Sequence, residues 1–335
     1  MKAKNRTEKR KKGKRKRVLK FFFSLLVILL LGAGYLIYDA LNQVKQTHVE
    51  LERGTHSEKR EQPVQLQKKP ISIALFGVEN YVDAGANGRS DTIMIFTLNP
   101  ADKTVKVVSI PRDTRVEIVG YGTVDKINHA YSFGGPDMSI DTIENFLDIP
   151  IDYFATINFD VFKKVVDELG GVTVDVPFDF WETNVGVGYY DKIYFKQGTQ
   201  KLNGEEALAY VRMRKQDPRG DIGRAERQQQ VIAALMDQIS PQTLLLKYDD
   251  ILDHVSDNMR TNLSSQDMLS IIKTYSGIKS SNMERLTIQG TDLYLNRIYY
   301  YDPDITELAN LQQVLKDHLE LDVTTQIPSM NDTNG

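Results

Sequence analysis

The chain has 335 residues and no cysteine, which excludes disulfide staples, thiolate nucleophiles and cysteine-held metals. Its net charge of −3 hides two unlike parts: the first twenty residues hold twelve Lys or Arg and one acid, while residues 39–335 carry 30 basic and 44 acidic side chains. The five histidines (His48, His56, His129, His254, His318) lack the H-E-x-x-H spacing of a zinc site, and no P-loop, nucleophile elbow or dinucleotide-binding glycine pattern occurs.

From the N-terminus, residues 1–20 form a basic tail. Residues 21–38, Phe21 to Tyr38, contain no charge. Eighteen residues of helix rise about 27 Å, close to the hydrocarbon thickness of a bilayer. The apolar stretch continues past Gly32-Ala33-Gly34, the one small-residue cleavage pattern, so it reads as a retained anchor rather than a signal peptide. Basic residues before the span place the N-terminus in the cytoplasm and the large domain outside. The same topology argues against the basic tail being a nucleic-acid arm.

Residues 39–69 are polar and mixed in charge and read as a partly helical stalk. After Pro70, Ile71 to Val78 is a continuous apolar run, the pattern of a buried strand. Thr92 to Leu98 and Thr104 to Ile110 are two further strands joined by the turn Asn99-Pro100-Ala101-Asp102-Lys103, and pair as a hairpin. Helical periodicity runs from Pro136 to Leu147 and from Phe159 to Leu169, ending at Gly170-Gly171. Val172 to Val176 is a strand, Asn203 to Tyr210 a helix, Gly223 to Ile239 a longer helix, and Ile305 to Leu319 a final one. Alternating strands and helices from 70 to 325 argue one α/β layered domain, followed by a loose tail, 326–335.

Six basic residues fall between Arg212 and Arg227: Arg212, Arg214, Lys215, Arg219, Arg224 and Arg227. So dense a cationic patch in an acidic domain points to an anion, most often phosphate. Arg224, Arg227 and Gln228 are spaced to meet one ligand from one helix, and the same side continues as Val231, Leu235 and Ile239. A face running from cationic to greasy suits an amphiphile with a phosphate head. It equally describes a surface arginine cluster whose helix buries Val231 and Leu235. Arg212 and Arg214 face one side if the chain is extended there. The hairpin brings Arg89-Ser90-Asp91, opening one strand, to the edge where Arg112-Asp113 closes the next. Glu79 joins them if the first strand is antiparallel to the second. Two carboxylates, Glu79 and Asp91, among phosphate-binding arginines suit a hard cation, Mg²⁺ or Mn²⁺. They would also serve simply as ion-pair partners of the arginines.

The ordered series Gly88-Arg89-Ser90-Asp91, Ser109 to Thr114 (SIPRDT), Lys126 to Tyr131 (KINHAY), Leu169 to Val172 (LGGV), Leu202 to Arg214 (LNGEEALAYVRMR) and Asp221 to Gln228 resembles the LytR-CpsA-Psr proteins of Gram-positive envelopes. It looks most like their teichoic-acid-attaching members. The resemblance implies a mixed sheet flanked by helices, with a hydrophobic pocket for a prenyl tail. It implies a phosphotransferase that moves a glycopolymer such as wall teichoic acid from undecaprenyl pyrophosphate to a muramic-acid hydroxyl of peptidoglycan. The pyrophosphate-binding set carries over onto Arg89, Arg112, Arg212, Arg214, Arg224 and Gln228, and the metal carboxylates onto Glu79 and Asp91. Many members have Asp where Glu79 stands. Arg112, Asp91, Arg214, Arg224 and Asp221 are the expected catalytic residues; Asp221 and Asp113 match acids that orient arginines or move a proton. A polyprenyl-pyrophosphate hydrolase and a non-catalytic polyprenyl-lipid or wall binder would use the same residues.

Overall fold

The computed structural model describes residues 48–78, 88–184, 191–238, 259–275 and 277–321. The basic tail, the expected anchor, Glu79 and the tail from 326 lie outside the described residues. Among the described residues no helix is long and apolar enough to cross a membrane.

In chain order the elements are β1 (Ile71–Val78), β2 (Ser90–Asn99), β3 (Thr104–Ser109), β4 (Arg115–Ile118), β5 (Thr123–Lys126), α1 (His129–Leu147), β6 (Tyr153–Asn158), α2 (Phe159–Glu168), β7 (Val172–Val176), β8 (Phe180–Thr183), β9 (Lys192–Phe195), β10 (Gly198–Leu202), α3 (Gly204–Arg212), α4 (Asp221–Gln238), β11 (Met259–Thr261), α5 (Ser265–Tyr275), β12 (Met283–Thr287), β13 (Gly290–Leu295), β14 (Ile298–Pro303) and α6 (Ile305–His318). Six strands form the central sheet in the order β11-β6-β1-β2-β3-β12. β1 is antiparallel to β2 and parallel to β6; β3 is antiparallel to β2 and parallel to β12. The sheet is therefore mixed, as the resemblance implies.

β1 is apolar but for Ser72 because both of its faces are covered. Ala74, Phe76 and Val78 face a core shared with Ile140, Ile143 and Leu147 of α1 and Leu311 and Leu315 of α6. Ile71, with Ile73 and Leu75 packed beside it, faces a second core containing Ala233 of α4 and Tyr275 of α5. A third core, under β7 and β10, gathers Val166, Val172, Leu202, Leu208 and Val231.

Helix starts follow local capping chemistry. The Asn203 side chain accepts from Glu206 N at 2.9 Å, and the Glu206 carboxylate accepts from Asn203 N at 2.9 Å, so α3 opens on a reciprocal box. Asn158 caps α2 through Val161 N at 2.9 Å. α1 begins seven residues before Pro136. Gly135 at φ 64° breaks it, and Pro136 opens its second segment, the part visible as periodicity.

Residues 48–69, expected as a helical stalk, contain no helix and lie against the domain. Leu51 joins the core beneath α1, and Leu66 the core beneath α4. Arg53 meets Glu144 at 2.7 Å, and Arg60 forks onto both Asp152 oxygens at 2.8 Å. The mixed charge that suggested a solvated stalk is a set of ion pairs to the body. A chain beginning at Pro70 strips Arg60 from the buried Asp152. It is expected to be less stable than one beginning at His48 by on the order of 3 kcal/mol or more. Coincident urea midpoints for the two chains would contradict this.

Candidate functional site

Because β1, β6 and β12 run parallel or are linked through antiparallel β2 to β3, the carboxyl ends of β1, β3, β6 and β12 meet at one end of the sheet. The start of β2 lies there too. Ligands of open α/β sheets bind outside such ends. The residues just beyond them here are chemically unusual.

The hairpin register, Met94 opposite Ser109, places the start of β2 beside the segment after β3. Arg112 Nη1 donates to Asp91 Oδ1 at 2.7 Å. Arg112 Nε lies 3.6 Å from Asp113, whose other oxygen accepts from Lys126 Nζ at 2.6 Å. Burial alone would depress the Arg112 guanidinium, but Asp91, Asp113 and Asp221 together hold it above its ordinary value. Asp221 opens α4. Its Oδ1 lies 3.0 Å from Arg224 Nη2, and its Oδ2 accepts from Arg214 Nη1 at 3.4 Å. Burial pushes Arg224 below the ordinary guanidinium value; Asp221 and Asp91 oppose that, and the cations Arg112 and Arg214 reinforce it. Arg112, Arg214, Arg224, Asp91 and Asp221 therefore form one electrostatic group.

Arg212 ends α3, and Met213 leaves the helix at ψ 127°, so Arg212 and Arg214 do not share the face of a strand. Arg212 instead lies over the Phe159 ring at 5.2 Å, beside the end of β6. Its Nη1 is buried with no acceptor among the described residues. Arg89 is exposed, one residue before β2. Gln228 Nε2 donates to Thr92 Oγ1 at 3.0 Å.

Arg227 departs from expectation. It turns inward, where it is 3% exposed. It donates to the Asp217 carboxylate, to Tyr210 O at 3.2 Å and to Met213 O. It is a tie between α3 and α4 rather than a ligand-facing cation. A Cβ at Gly223 would lie 1.9 Å from Asp217 Oδ2, so only glycine lets α4 approach this pair.

Around the arginines are two cavities that sequence periodicity did not reveal. One is an apolar crevice of about 80 Å³ between the sheet and the helices, lined by Leu75, Met94, Ile157, Phe162, Val211 and Ile232. Gly77 also lines it, and a Cβ there would lie 2.9 Å from Thr92 Cβ. A glycine inside an otherwise bulky strand was the sequence signal for that close approach. The other, about 260 Å³, includes Asp91, Asp221, Arg224, Ser109, Gln229 and Thr287. Thr92 and Gln228 belong to both.

The donor set bears on a divalent cation. Asp91 Oδ1 is taken by Arg112, while Oδ2 accepts no hydrogen bond among the described residues. A carboxylate with one oxygen left open among the described residues, facing phosphate-type arginines, suits Mg²⁺, which binds through one or two carboxylates plus substrate oxygens. Among the described residues no group of three or more acidic, His or Cys side chains forms a self-contained metal cage.

The family model described as LytR_cpsA_psr matches residues 34–317. The chain belongs to the LytR_cpsA_psr family. It is 47% identical over 307 residues to the polyisoprenyl-teichoic acid–peptidoglycan teichoic acid transferase TagV of Bacillus subtilis, covering 90% of this chain and 78% of that protein. TagU of the same organism, with the same described activity, is 41% identical over 320 residues, covering 94% and 99%. The fold matches the crystal structure of B. subtilis TagV at a TM-score of 0.68 and 48% identity, over 76% of this chain and 98% of that one. It also matches TagT with bound octaprenyl pyrophosphate lipid at a TM-score of 0.65 and 32% identity, over 82% and 100%. Within this LytR_cpsA_psr member, Arg112, Arg214, Arg224, Asp91 and Asp221 lie together at the sheet end.

The tie between α3 and α4 carries a pH signature. Burial would raise the Asp217 carboxyl, but Arg227 and the Arg219 amide outweigh it and hold it below its ordinary value of 3.8. A depressed folded-state value contributes stability above 3.8 that is lost as pH falls through the folded value. Asp217→Asn is expected to cost roughly 3–5 kcal/mol near neutral pH by stranding Arg227. The gap to the unsubstituted protein should close in acid, as measured by denaturant unfolding across a pH series.

Proposed function

We propose that this protein transfers a glycopolymer of the wall-teichoic-acid type from a polyprenyl-pyrophosphate carrier to a muramic-acid hydroxyl of peptidoglycan. It does so on the outer face of the membrane, tethered by residues 21–38 with the N-terminus in the cytoplasm. The observation that carries this reading is the cavity holding Arg224, Asp91 and Asp221, which shares Thr92 and Gln228 with an apolar crevice. It is an anion site and an oily site in contact, the two ends of a prenyl pyrophosphate.

Arg112, Arg214 and Arg224 stand against the carboxylates of Asp91 and Asp221, and Arg89 just before β2 and Arg212 at the end of α3 add positive charge to the same end of the sheet. The surplus matches a diphosphate. Guanidinium forks bind phosphate oxygens bidentately and fix the phosphorus that bears the polymer. The prenyl end lies toward Leu75, Phe162 and Ile232. The acceptor hydroxyl attacks that phosphorus, a new P–O bond forms, and the bond to the bridging oxygen breaks. Charge grows on the departing prenyl phosphate, where preorganised arginines contribute most. The hydroxyl proton passes to that leaving phosphate, a better base than carboxylates already paired with arginines. Asp221 orients Arg214 and Arg224, and Asp91 orients Arg112. Mg²⁺ or Mn²⁺ on Asp91, with Glu79 as a second carboxylate, would add charge neutralisation at the phosphate oxygens.

Reconstitution with labelled prenyl-pyrophosphate-linked polymer and peptidoglycan tests the proposal. The product expected is polymer bound by a phosphodiester; free polymer alone identifies a hydrolase instead. Arg112→Ala, Arg214→Ala and Arg224→Ala should each slow transfer by on the order of 10²–10³-fold while circular dichroism stays unchanged. Ile232→Trp, which fills the crevice without touching an arginine, should raise the donor KM and leave the acceptor KM alone.

A further inference from the structure

The two cavities that meet at Thr92 and Gln228 differ in kind. The crevice on one side is hydrocarbon apart from Thr92, Asn158 and Gln228. The larger cavity on the other side holds Arg224 with the carboxylates Asp91, Asp221 and Glu226, and beyond them offers hydroxyls and carboxamides: Ser109, Thr287, Gln229 and Gln289.

Parts of this second cavity are held rigidly. Gln229, 2% exposed, donates to Ser109 Oγ at 2.9 Å, which fixes a helix side chain to the end of β3. Thr287 ends β12, which pairs in parallel with β3 so that Thr287 lies opposite Ser109. Gln289 donates to Thr287 Oγ1 at 3.0 Å. Ile93, Ile110 and Ile288 supply an apolar wall beside these groups. Hydroxyls, carboxamides and carboxylates around an apolar wall suit a sugar ring, which has hydroxyl edges and a C–H face. The volume of about 260 Å³ lies just under the ~300–1,000 Å³ range of small-molecule sites, room for one ring rather than a polymer.

In phosphoryl transfer the attacking and leaving oxygens lie roughly in line. If the prenyl phosphate departs toward the crevice, the nucleophile must arrive from the opposite side. We propose that the cavity lined by Ser109, Thr287, Gln229 and Gln289 seats the acceptor, an N-acetylated amino-sugar ring of a glycan strand, with its hydroxyl directed at Arg224 and Asp91. This rests on the transfer reading above. It adds which face of the site receives the wall polymer and which side chains recognise it.

The test uses the full-length protein in detergent, labelled prenyl-pyrophosphate donor and a soluble, uncrosslinked peptidoglycan glycan fragment. Thr287 and Gln289 are exposed rim residues, so the double substitution Thr287→Val/Gln289→Leu leaves the cores intact. The acceptor KM should rise tenfold or more, with the donor KM and the slow release of polymer to water unchanged. A rise in the donor KM with an unchanged acceptor KM would assign the cavity to the donor's own first sugar and overturn the proposal. No change in either constant would overturn it as well. Failure of the unsubstituted protein to make linked product would sink the transfer reading itself, and this subsite with it. That result is distinct from a working enzyme that ignores the substitutions.

Discussion

Arg227 lies inside the protein, and its guanidinium fork closes the joint between α3 and α4. One end of the fork holds two carbonyls at the end of α3, and the other holds Asp217 in the connection. Arg212 and Arg214 are fixed by the first, Arg224 and Gln228 by the second. Like charges brought this close repel, so Arg112 and Arg214 add to the burial that lowers the Arg224 guanidinium. Such an arrangement persists only if the backbone carrying the cations is rigid. Lysine could not replace this tie, because a point charge cannot span a carboxylate and two carbonyls at once.

The rest of the site follows from sheet topology. Parallel pairing of β1 with β6 and of β3 with β12 sends four carboxyl ends to one edge. Antiparallel β2 returns Asp91 to the same edge. Charged groups cluster where strands stop because the sheet's two faces are filled by apolar cores. Thr92 and Gln228 then divide that edge into an oily side and a side that carries charged and hydroxyl groups. A lipid-linked sugar phosphate has the same three-part polarity: hydrocarbon, anion, hydroxyls.

Local features of this plan were legible in the sequence. The run Ile71 to Val78 declared a strand buried on both faces, and the Asn99–Lys103 turn declared the hairpin, hence the meeting of Asp91 with Arg112. The helix read from Asn203 to Tyr210 starts within one residue of α3. What stayed hidden depended on distant partners. Periodicity put Arg227 on a face with Arg224, yet three residues of helix turn a side chain about 300°, enough to aim one at ligand and the other at Asp217. Residues 48–69 looked solvated because their charges are many and their anchors, Leu51 and Leu66, few. Arg53, Arg60 and their acids lie about ninety positions apart, so no local pattern pairs them. The crevice draws on β1, β2, β6, α2, α3 and α4, and a single window of sequence sees one wall at a time.

The size of that crevice constrains how a lipid substrate is held. At about 80 Å³ it has room for fewer than three waters at their liquid share of ~30 Å³ each, far less than a polyprenyl chain occupies. Seating the tail therefore requires Phe162 of α2 and Ile232 of α4 to move away from Leu75 and Met94. Separating these surfaces costs packing, but each methylene-sized group of lipid that replaces a protein contact returns roughly 0.8 kcal/mol. The exchange comes near balance only for a chain long enough to refill the parted layer. The arginines, by contrast, are already in place. A soluble pyrophosphate, which carries the headgroup alone, therefore needs no opening of the crevice to meet the arginines.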